Sequence, residues 1–309
     1  MAAAGFAHGQ ARALVARIAR HHFGSVSRRV TELSGGLNNA VWRVPVRQAA
    51  FVVRLHAEPA KVHDYLKEQW AMEYARAAGV PAPRVLEVGT ESGHPYMIIE
   101  EVRGLPGTAA TDREKVLREL GRLAARLHGV RTHGFGSAFD WSGNRLSKHR
   151  SWDAFLDGEL GARERLRRLV RTGVLRGEAI EALERALEEM RGWRKRPVLN
   201  HGDLRLKNVI IDPDDCRVLA LIDWDECMSA PAPYWDLSIA LHDLGVDEKE
   251  AFVTGYGLRP QRLLALAPAL RLLNTLHYAF VFQCAQEDGE TERSSWLKAR
   301  LRGAHDLAP

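Results

Sequence analysis

Hydrophobic and polar positions change their period along this chain. Residues 10 to 22 place Ala13, Leu14 and Ile18, with Val15 beside them, at the three-and-four spacing of an amphipathic helix. Strand-length apolar runs follow at Val30 to Leu33, Ala40 to Val46 and Ala50 to Leu55, the first two separated by the turn Ser34-Gly-Gly-Leu-Asn-Asn39. Val62, Leu66, Trp70 and Tyr74 return to helical spacing over 60–78, before Gly79. Pro81 and Pro83 then force an extended segment. Val85 to Val88 and Tyr96 to Val102 predict two more strands, the second closing at Arg103-Gly104.

From Thr111 the pattern turns helical. Thr111-Asp-Arg-Glu114 has the form of a capping box, and Val116, Leu117, Leu120, Leu123, Ala124 and Leu127 continue behind it at helical spacing. Further helices are expected at 151–170, 177–192, 233–243, 259–285 and 290–303, interrupted by a strand pair around 208–223. No internal repeat or low-complexity segment occurs. The pattern predicts an α+β fold in two parts: a small strand-rich lobe with one main helix over residues 1–102, and a larger, mostly helical lobe over 103–309.

The chemistry gathers where strands interrupt the helices. His201-Gly-Asp-Leu-Arg-Leu-Lys-Asn208 leads into an apolar run ending at Asp212, and a second run, Val218 to Ile222, ends at Asp223-Trp-Asp-Glu226. Phosphoryl transfer needs such a set: one carboxylate to orient an attacking hydroxyl, and an Asn and an Asp to hold magnesium on nucleotide phosphates. Asp203 is therefore the expected catalytic residue, aiming a substrate hydroxyl in line at the γ-phosphorus. Asn208 and Asp223 are the expected Mg²⁺ ligands, with Asp225 and Glu226 next door as alternatives. A polar turn between strands would also carry Asp and Asn; the two pieces at hairpin separation favour catalysis. Arg205 is expected to neutralise charge on the transferring phosphoryl group. His201 reads as a hydrogen-bonding residue that shapes the loop, and Lys207 has no assigned role.

In the first lobe, Gly35 and Gly36 would let a turn bring its backbone close to nucleotide phosphates. Arg54 sets a charge inside Val52-Val53-Arg54-Leu55, and such a charge calls for a partner. Glu68 and Glu73 on the following helix both qualify, and an edge-strand arginine facing solvent is the alternative.

Composition narrows the field. Of 309 residues 46% are hydrophobic and 27% charged, ordinary for a globular chain. The net charge is +5, and 36 of the 44 basic residues are arginine, a balance that attracts anions. No basic tail or aromatic-interleaved basic block exists, so no nucleic-acid partner is expected. Three cysteines without C-x-x-C spacing argue against zinc or a disulfide framework and for a reducing cytosol. Polar residues break the first 24 positions, unlike a signal peptide, and no apolar run is expected to span a bilayer. The expectation is a cytoplasmic protein without a membrane partner. A P-loop is disfavoured, since G-x-x-x-x-G-K-[ST] occurs nowhere.

Together these residues resemble the aminoglycoside phosphotransferase and choline kinase family. His201-Gly-Asp-Leu-x-x-x-Asn208 resembles its H-G-D-x-x-x-x-N loop, Ile222-Asp223-Trp224-Asp225 its I-D-W/F-E/D motif, and Pro233-Tyr-Trp-Asp-Leu237 its P-x-x-D-L helix start. Ser34-Gly-Gly-x-x-Asn39, the strand at Val52 to Leu55, Lys67-Glu68, Val80-Pro-Ala-Pro83 and Ile99-Glu-Glu-Val-Arg-Gly104 fall in the family's order. The resemblance implies a bilobal, protein-kinase-like fold with an antiparallel sheet in the first lobe. It implies a nucleotide between the lobes, with backbone groups of Glu100 and Val102 offered to the purine. Two departures stand out. Arg54 occupies a position where protein kinases have Lys, and Arg205-Leu206-Lys207 replaces the usual His-Pro-Gly.

The implied activity is Mg²⁺-dependent transfer of the γ-phosphate of ATP or GTP to a small-molecule hydroxyl. An aminoglycoside-type antibiotic is the first choice of acceptor. A metabolic kinase acting on a sugar or amino alcohol, or an inactive nucleotide-binding module, are the alternatives. A protein kinase is disfavoured, because Asp223 lies too close to the helix near Pro233 for a long activation segment. Asp225, Glu226, Asp236, Asp243, Asp247, Glu287 and Asp288 are candidates for a pocket that attracts a polycation. Trp224, Tyr234, Trp235, Tyr278 and Phe282 could instead line a pocket for a sugar or quaternary amine. The oligomeric state is left open.

Overall fold

The structure, a computed structural model, describes residues 6, 9–24, 30–33, 39–140, 145–146 and 148–303. Its first part is helix α1 (Gln10–Phe23), strands β1 (Thr31–Glu32), β2 (Ala40–Val46) and β3 (Ala49–Leu55), helix α2 (Val62–Ala77), and strands β4 (Val85–Glu91) and β5 (His94–Glu100). The strands form an antiparallel five-stranded sheet in the order β1-β2-β3-β5-β4, as expected. Period-two alternation divides its faces. Trp42, Val44, Val53, Leu55 and Ile98 pack with Leu14, Val15 and Ile18 of α1. Met97 joins Tyr65, Trp70, Met72 and Ala75 of α2. Arg54, between Val53 and Leu55, therefore turns toward α2.

The buried faces of both helices differ from the periodic reading. On α1 the inward positions are Ala11, Leu14, Val15, Ile18 and Ala19, while Ala13 is exposed. On α2, Tyr74 is exposed and the buried face carries Lys67 and Glu68 beside Tyr65, Trp70 and Met72. Two charges in the buried stripe shift the apparent apolar face, which is why hydrophobic spacing alone misplaces it.

The second part adds β6 (Leu105–Pro106), α3 (Arg113–Leu127), β7 (Phe139–Asp140), β8 (Arg145–Leu146), α4 (Trp152–Asp157), α5 (Ala162–Arg171), α6 (Glu178–Met190), β9 (Pro197–Asn200), β10 (Val209–Ile211), β11 (Val218–Leu221), β12 (Met228–Pro231), α7 (Tyr234–Ala240), α8 (Val246–Tyr256), α9 (Pro260–Glu287) and α10 (Thr291–Arg302). The apolar face expected for α3 is buried throughout. Its cap is Asp112, whose carboxylate accepts the Lys115 N–H at 2.9 Å, so the capping box expected at Thr111 lies one residue early. The helix expected over 151–170 breaks between Asp157 and Ala162, where Gly161 takes φ +57°. Helix α8 has no counterpart in the sequence reading, since its apolar residues bunch at Ala251-Phe252-Val253 instead of recurring. Contrary to expectation, α9 contains an 18-residue stretch of mean hydropathy 1.2, long and apolar enough to cross a membrane; 56% of that stretch is buried within the fold.

Two short antiparallel pairings carry the loop of interest. β9 pairs with β12, Asn200 opposite Met228, and β10 pairs with β11 and β6. The residues between β9 and β10 are held from below by Asp236, in the first turn of α7. This fully buried carboxylate accepts the His201 N–H at 2.9 Å and the Gly202 N–H at 2.8 Å. His128 of α3 places Nε2 at 3.0 Å from the same carboxylate, with Nδ1 at 2.7 Å from the Tyr256 hydroxyl. Burial alone would raise the Asp236 pKa, but His128 and the donating amides outweigh it and hold it below the usual carboxylate value.

Helices α3 and α8 meet backbone to backbone at Gly121 and Gly255. A Cβ at Gly121 would fall on the Phe252 carbonyl, and one at Gly255 on the Arg118 carbonyl. Ala gains about 0.5–1 kcal/mol over Gly within a helix, while forced overpacking costs about 1–3 kcal/mol or more. Gly121→Ala should therefore lower the urea midpoint, and an unchanged or higher midpoint would refute the close approach. Asp236→Ala leaves both loop amides buried and unpaired, a loss of about 1–3 kcal/mol for each. Because the folded pKa lies below the ordinary value, this contribution is fully present above the unfolded carboxylate pKa. It fades only as pH falls through the lower, folded value. Urea titrations at neutral pH and at pH about 3 should show the wild-type advantage shrinking in acid.

Candidate active site

His201, at the exit of β9, is fully buried and its ring hydrogen-bonds with backbone on both sides. Nε2 lies 3.1 Å from the Ile222 carbonyl, and Nδ1 accepts the Asp203 N–H at 3.4 Å. The ring rests 4.5 Å from that of Trp224. Gly202 adopts φ +89°, and a Cβ there would fall on the Glu226 carbonyl, so only glycine fits.

This turn sets the Asp203 side chain against two cations and one amide, of which Arg205 is a charge contact without hydrogen-bond geometry. Arg205 Nε lies 2.6 Å from Oδ1, Lys207 Nζ 2.7 Å from Oδ2, and Asn208 Nδ2 donates to Oδ2 at 3.0 Å. Asn208 Nδ2 also donates to the Asp203 main-chain carbonyl at 2.8 Å, which leaves the side-chain oxygen Oδ1 of Asn208 for another partner. Burial pushes the Asp203 pKa up, but Arg205, Lys207 and Asn208 outweigh it, so the net displacement is downward and the group is a carboxylate at neutral pH. Arg205 and Lys207 thus engage Asp203 itself. Arg205 also approaches Asp243, NH1 to Oδ2 at 3.7 Å.

Asp223 follows β11 with φ +67°, and the Ile222 N–H donates to the Asn208 carbonyl at 2.9 Å, tying the ends of the hairpin together. Asp223 and Glu226 are reached by solvent yet enclosed on most sides. Burial first, and the charge of Asp225 second, raise the pKa of each. Such crowding of carboxylates favours a bound cation. Among the described residues no three His, Cys, Asp or Glu side chains converge as a metal cluster. The donors available are those of Asn208 and Asp223, hard oxygens that suit magnesium shared with phosphates.

From the first part, Arg54 pairs with Glu68, both buried. Glu73 is exposed and accepts from Gln69 instead. Arg54 also sits over the ring of Tyr65 at 5.4 Å, and the Tyr65 hydroxyl donates to Asn39 Oδ1 at 2.8 Å. Lys67, unassigned by sequence beyond its place in the motif order, donates from Nζ to the Asp225 carbonyl and so joins α2 to the turn after β11. Gly35 and Gly36 lie outside the described residues. At the end of β5 the Glu100 N–H donates to the Arg84 carbonyl at 2.9 Å, so a ligand there would meet the Glu100 carbonyl or the backbone of Val102. Glu100 lines an open cavity of about 580 Å³ with Phe51, Arg84, Leu86 and Glu101.

Of the acidic residues offered for a polycation pocket, Asp225 and Glu226 crowd with Asp223 at the turn after β11, and the other five lie apart. Asp236 is sealed beneath the loop, Asp243 is paired with Arg300 and Arg205, and Glu287 is 3.6 Å from Arg168. Asp247 and Asp288 lie exposed at helix ends. Four of the aromatics, Trp224, Tyr234, Tyr278 and Phe282, are at most 5% exposed, and Trp235 is 8% exposed. They form core, although the Tyr278 ring also receives the guanidinium of Arg300 at 4.2 Å.

Comparison with known proteins agrees with this geometry. A family model described as the phosphotransferase enzyme family matches residues 29–305. An aminoglycoside 3'-phosphotransferase of Streptomyces fradiae is 28% identical over 209 residues, 61% of this chain and 68% of that protein. Acyl-CoA dehydrogenase family member 10 of Mus musculus is 26% identical over 180 residues, 53% of this chain and only 15% of that much longer protein. Among solved structures, a thermostable mutant of aminoglycoside phosphotransferase APH(4)-Ia, in ternary complex with AMP-PNP and hygromycin B, aligns with a TM-score of 0.70 at 19% identity, covering 95% of this chain and 98% of that one. The two-lobed fold is accordingly that of a family, and this chain belongs to the phosphotransferase enzyme family.

Proposed function

We propose that the protein transfers the γ-phosphate of ATP or GTP to a hydroxyl of a small molecule. The observation that carries this reading is the convergence of Asp203, Asn208 and Asp223 at the adjoining ends of one β-hairpin, beneath a lobe that supplies the Arg54–Glu68 pair. Residues 1–102 form the nucleotide-binding lobe in this reading, and 103–309 the catalytic and acceptor-binding lobe. The complex of AMP-PNP and hygromycin B with a protein of the same fold supports a nucleotide and a small acceptor meeting between the lobes. The free cysteines Cys216, Cys227 and Cys284 support a reducing compartment, the cytoplasm.

Asp203, ionised and fixed by its three partners, accepts a hydrogen bond from the acceptor hydroxyl and aims it at the γ-phosphorus. Arg205 and Lys207, anchored on Asp203, lie where negative charge develops on the transferring group. Asn208 and Asp223 hold magnesium, which when bound neutralises the phosphates and fixes their orientation. In this reading Arg54, kept in place by Glu68, and Gly35 and Gly36 take the nucleotide phosphates, and Glu100 and Val102 take the purine.

For the acceptor, the aminoglycoside 3'-phosphotransferase of Streptomyces fradiae points first to an aminoglycoside. A metabolite is the second reading, favoured by the pairing of Asp243 and Glu287 with arginines, which leaves neither free for a polycation. Asp203→Ala should reduce kcat by about a hundredfold or more, with little change in the KM for nucleotide. Full turnover by that variant would sink the mechanism. Arg54→Met strands a buried Glu68 and should cost about 3–5 kcal/mol of stability while raising the KM for nucleotide. Arg54→Met with Glu68→Met should regain most of that stability without regaining nucleotide affinity, so matched urea titrations and kinetics separate the two roles. Recovery of both together would refute a nucleotide role for Arg54.

A further inference from the structure

Around Asp203, positive charge accumulates. The Arg205 guanidinium, 21% exposed, stands between Asp203 and the half-exposed Asp243. Arg300 of α10, 30% exposed, reaches the same Asp243 carboxylate from the other direction. Both guanidinia lean on one aromatic ring, their central carbons 4.2 Å (Arg300) and 5.9 Å (Arg205) from the centroid of Tyr278. Lys207 adds a further cation at Asp203 Oδ2. Three cations therefore face two carboxylates here, and both carboxylates are already ion-paired. Two neighbouring imidazoles, His242 and His277, are held neutral, each pushed down to about 4, by burial first and then by Arg300 and Arg205 among their neighbours. A polycationic acceptor would meet repulsion here, with no unpaired carboxylate to offset it. A carboxylate, in contrast, already occupies the space between the two guanidinia, in the form of Asp243. A cavity of about 200 Å³ reaches Arg205 and Asp243, lined also by Arg113, Lys207, Leu204 and Phe252.

We infer that the acceptor is a hydroxylated anion whose carboxylate or phosphate is bound by Arg300 and Arg205 over the Tyr278 ring, while Asp203 addresses its hydroxyl. The inference rests on the phosphotransferase reading and selects among its acceptors. Arg suits this task because its planar fork binds carboxylates and phosphates through paired hydrogen bonds.

The test offers purified protein, with ATP and magnesium, four classes of probe: the hydroxy carboxylates glycerate and gluconate, the sugar phosphate glucose 6-phosphate, the neutral sugar glucose, and the aminoglycoside kanamycin. ATP consumption and the mass of the product are read together. The expected result is a kcat/KM on one anionic class at least roughly tenfold above that on glucose and kanamycin, equivalent to one charged contact. Which anionic class responds tells carboxylate from phosphate. Arg300→Gln should raise the KM for that anion by roughly tenfold with the KM for ATP little changed, and Arg300→Lys should recover part of the loss. Preference for kanamycin or glucose, or an anion KM indifferent to Arg300→Gln, overturns the inference. If kanamycin is phosphorylated and Asp203→Ala abolishes it, the phosphotransferase reading survives and only the anionic acceptor falls. Wild-type protein inert toward every class overturns both.

Discussion

A carboxylate with no access to water organises this molecule. Asp236 can remain ionised in the core only because several donors surround it: two successive loop amides from above and the ring of His128 from α3. A buried charge loses several kcal/mol of hydration, and that loss is offset only while every donor keeps its position. The requirement joins three parts of the chain distant in sequence: α3, the loop after β9 and the first turn of α7. Tyr256 extends the set to α8, whose backbone lies directly on α3 at Gly121 and Gly255. Loop geometry at Asp203 is therefore a property of the whole helical lobe.

Above that foundation the reactive loop follows a different electrostatic rule. Asp203 is flanked by Arg205 and Lys207, so its charge is balanced locally, whereas Asp223, Asp225 and Glu226 crowd one another and are left short of cations. One end of the hairpin carries a slight excess of positive charge and the other is negative, over a short distance. That gradient suits a reaction in which a metal-bound polyphosphate lies on one side and a hydroxyl approaches from the other. It also gives the Arg205-Leu206-Lys207 segment a physical role: both of its cations reach back to the carboxylate they follow.

Much of this was legible in the sequence because it is local. Strand alternation, the apolar face of α3, and the Asp203, Asn208 and Asp223 spacing need only neighbours along the chain. What escaped depends on contacts across it. The buried face of α2 was misplaced because Lys67 and Glu68 belong to it through partners at Asp225 and Arg54. Asp236 looked like a candidate for binding a polycation, since nothing in its own segment shows the two amides waiting above it. Pairings as short as β9 with β12 carry no periodic signal of their own. The choice between Glu68 and Glu73 was decided by which side of α2 meets the sheet, and a sequence does not fix that facing.

The bond from Lys67 to the Asp225 carbonyl has a mechanical meaning. It is a strut between the helix of the small lobe and the turn that carries Asp223, anchored at its far end to main chain, so its attachment point is independent of side-chain identity. Any hinge motion that swings α2 away from the helical lobe must either snap this strut or drag the turn along with it. Opening of the cleft and loosening of the Asp223 turn are thereby geared together, so that under the proposed reaction one motion would both free the nucleotide and relax the turn proposed to hold its magnesium.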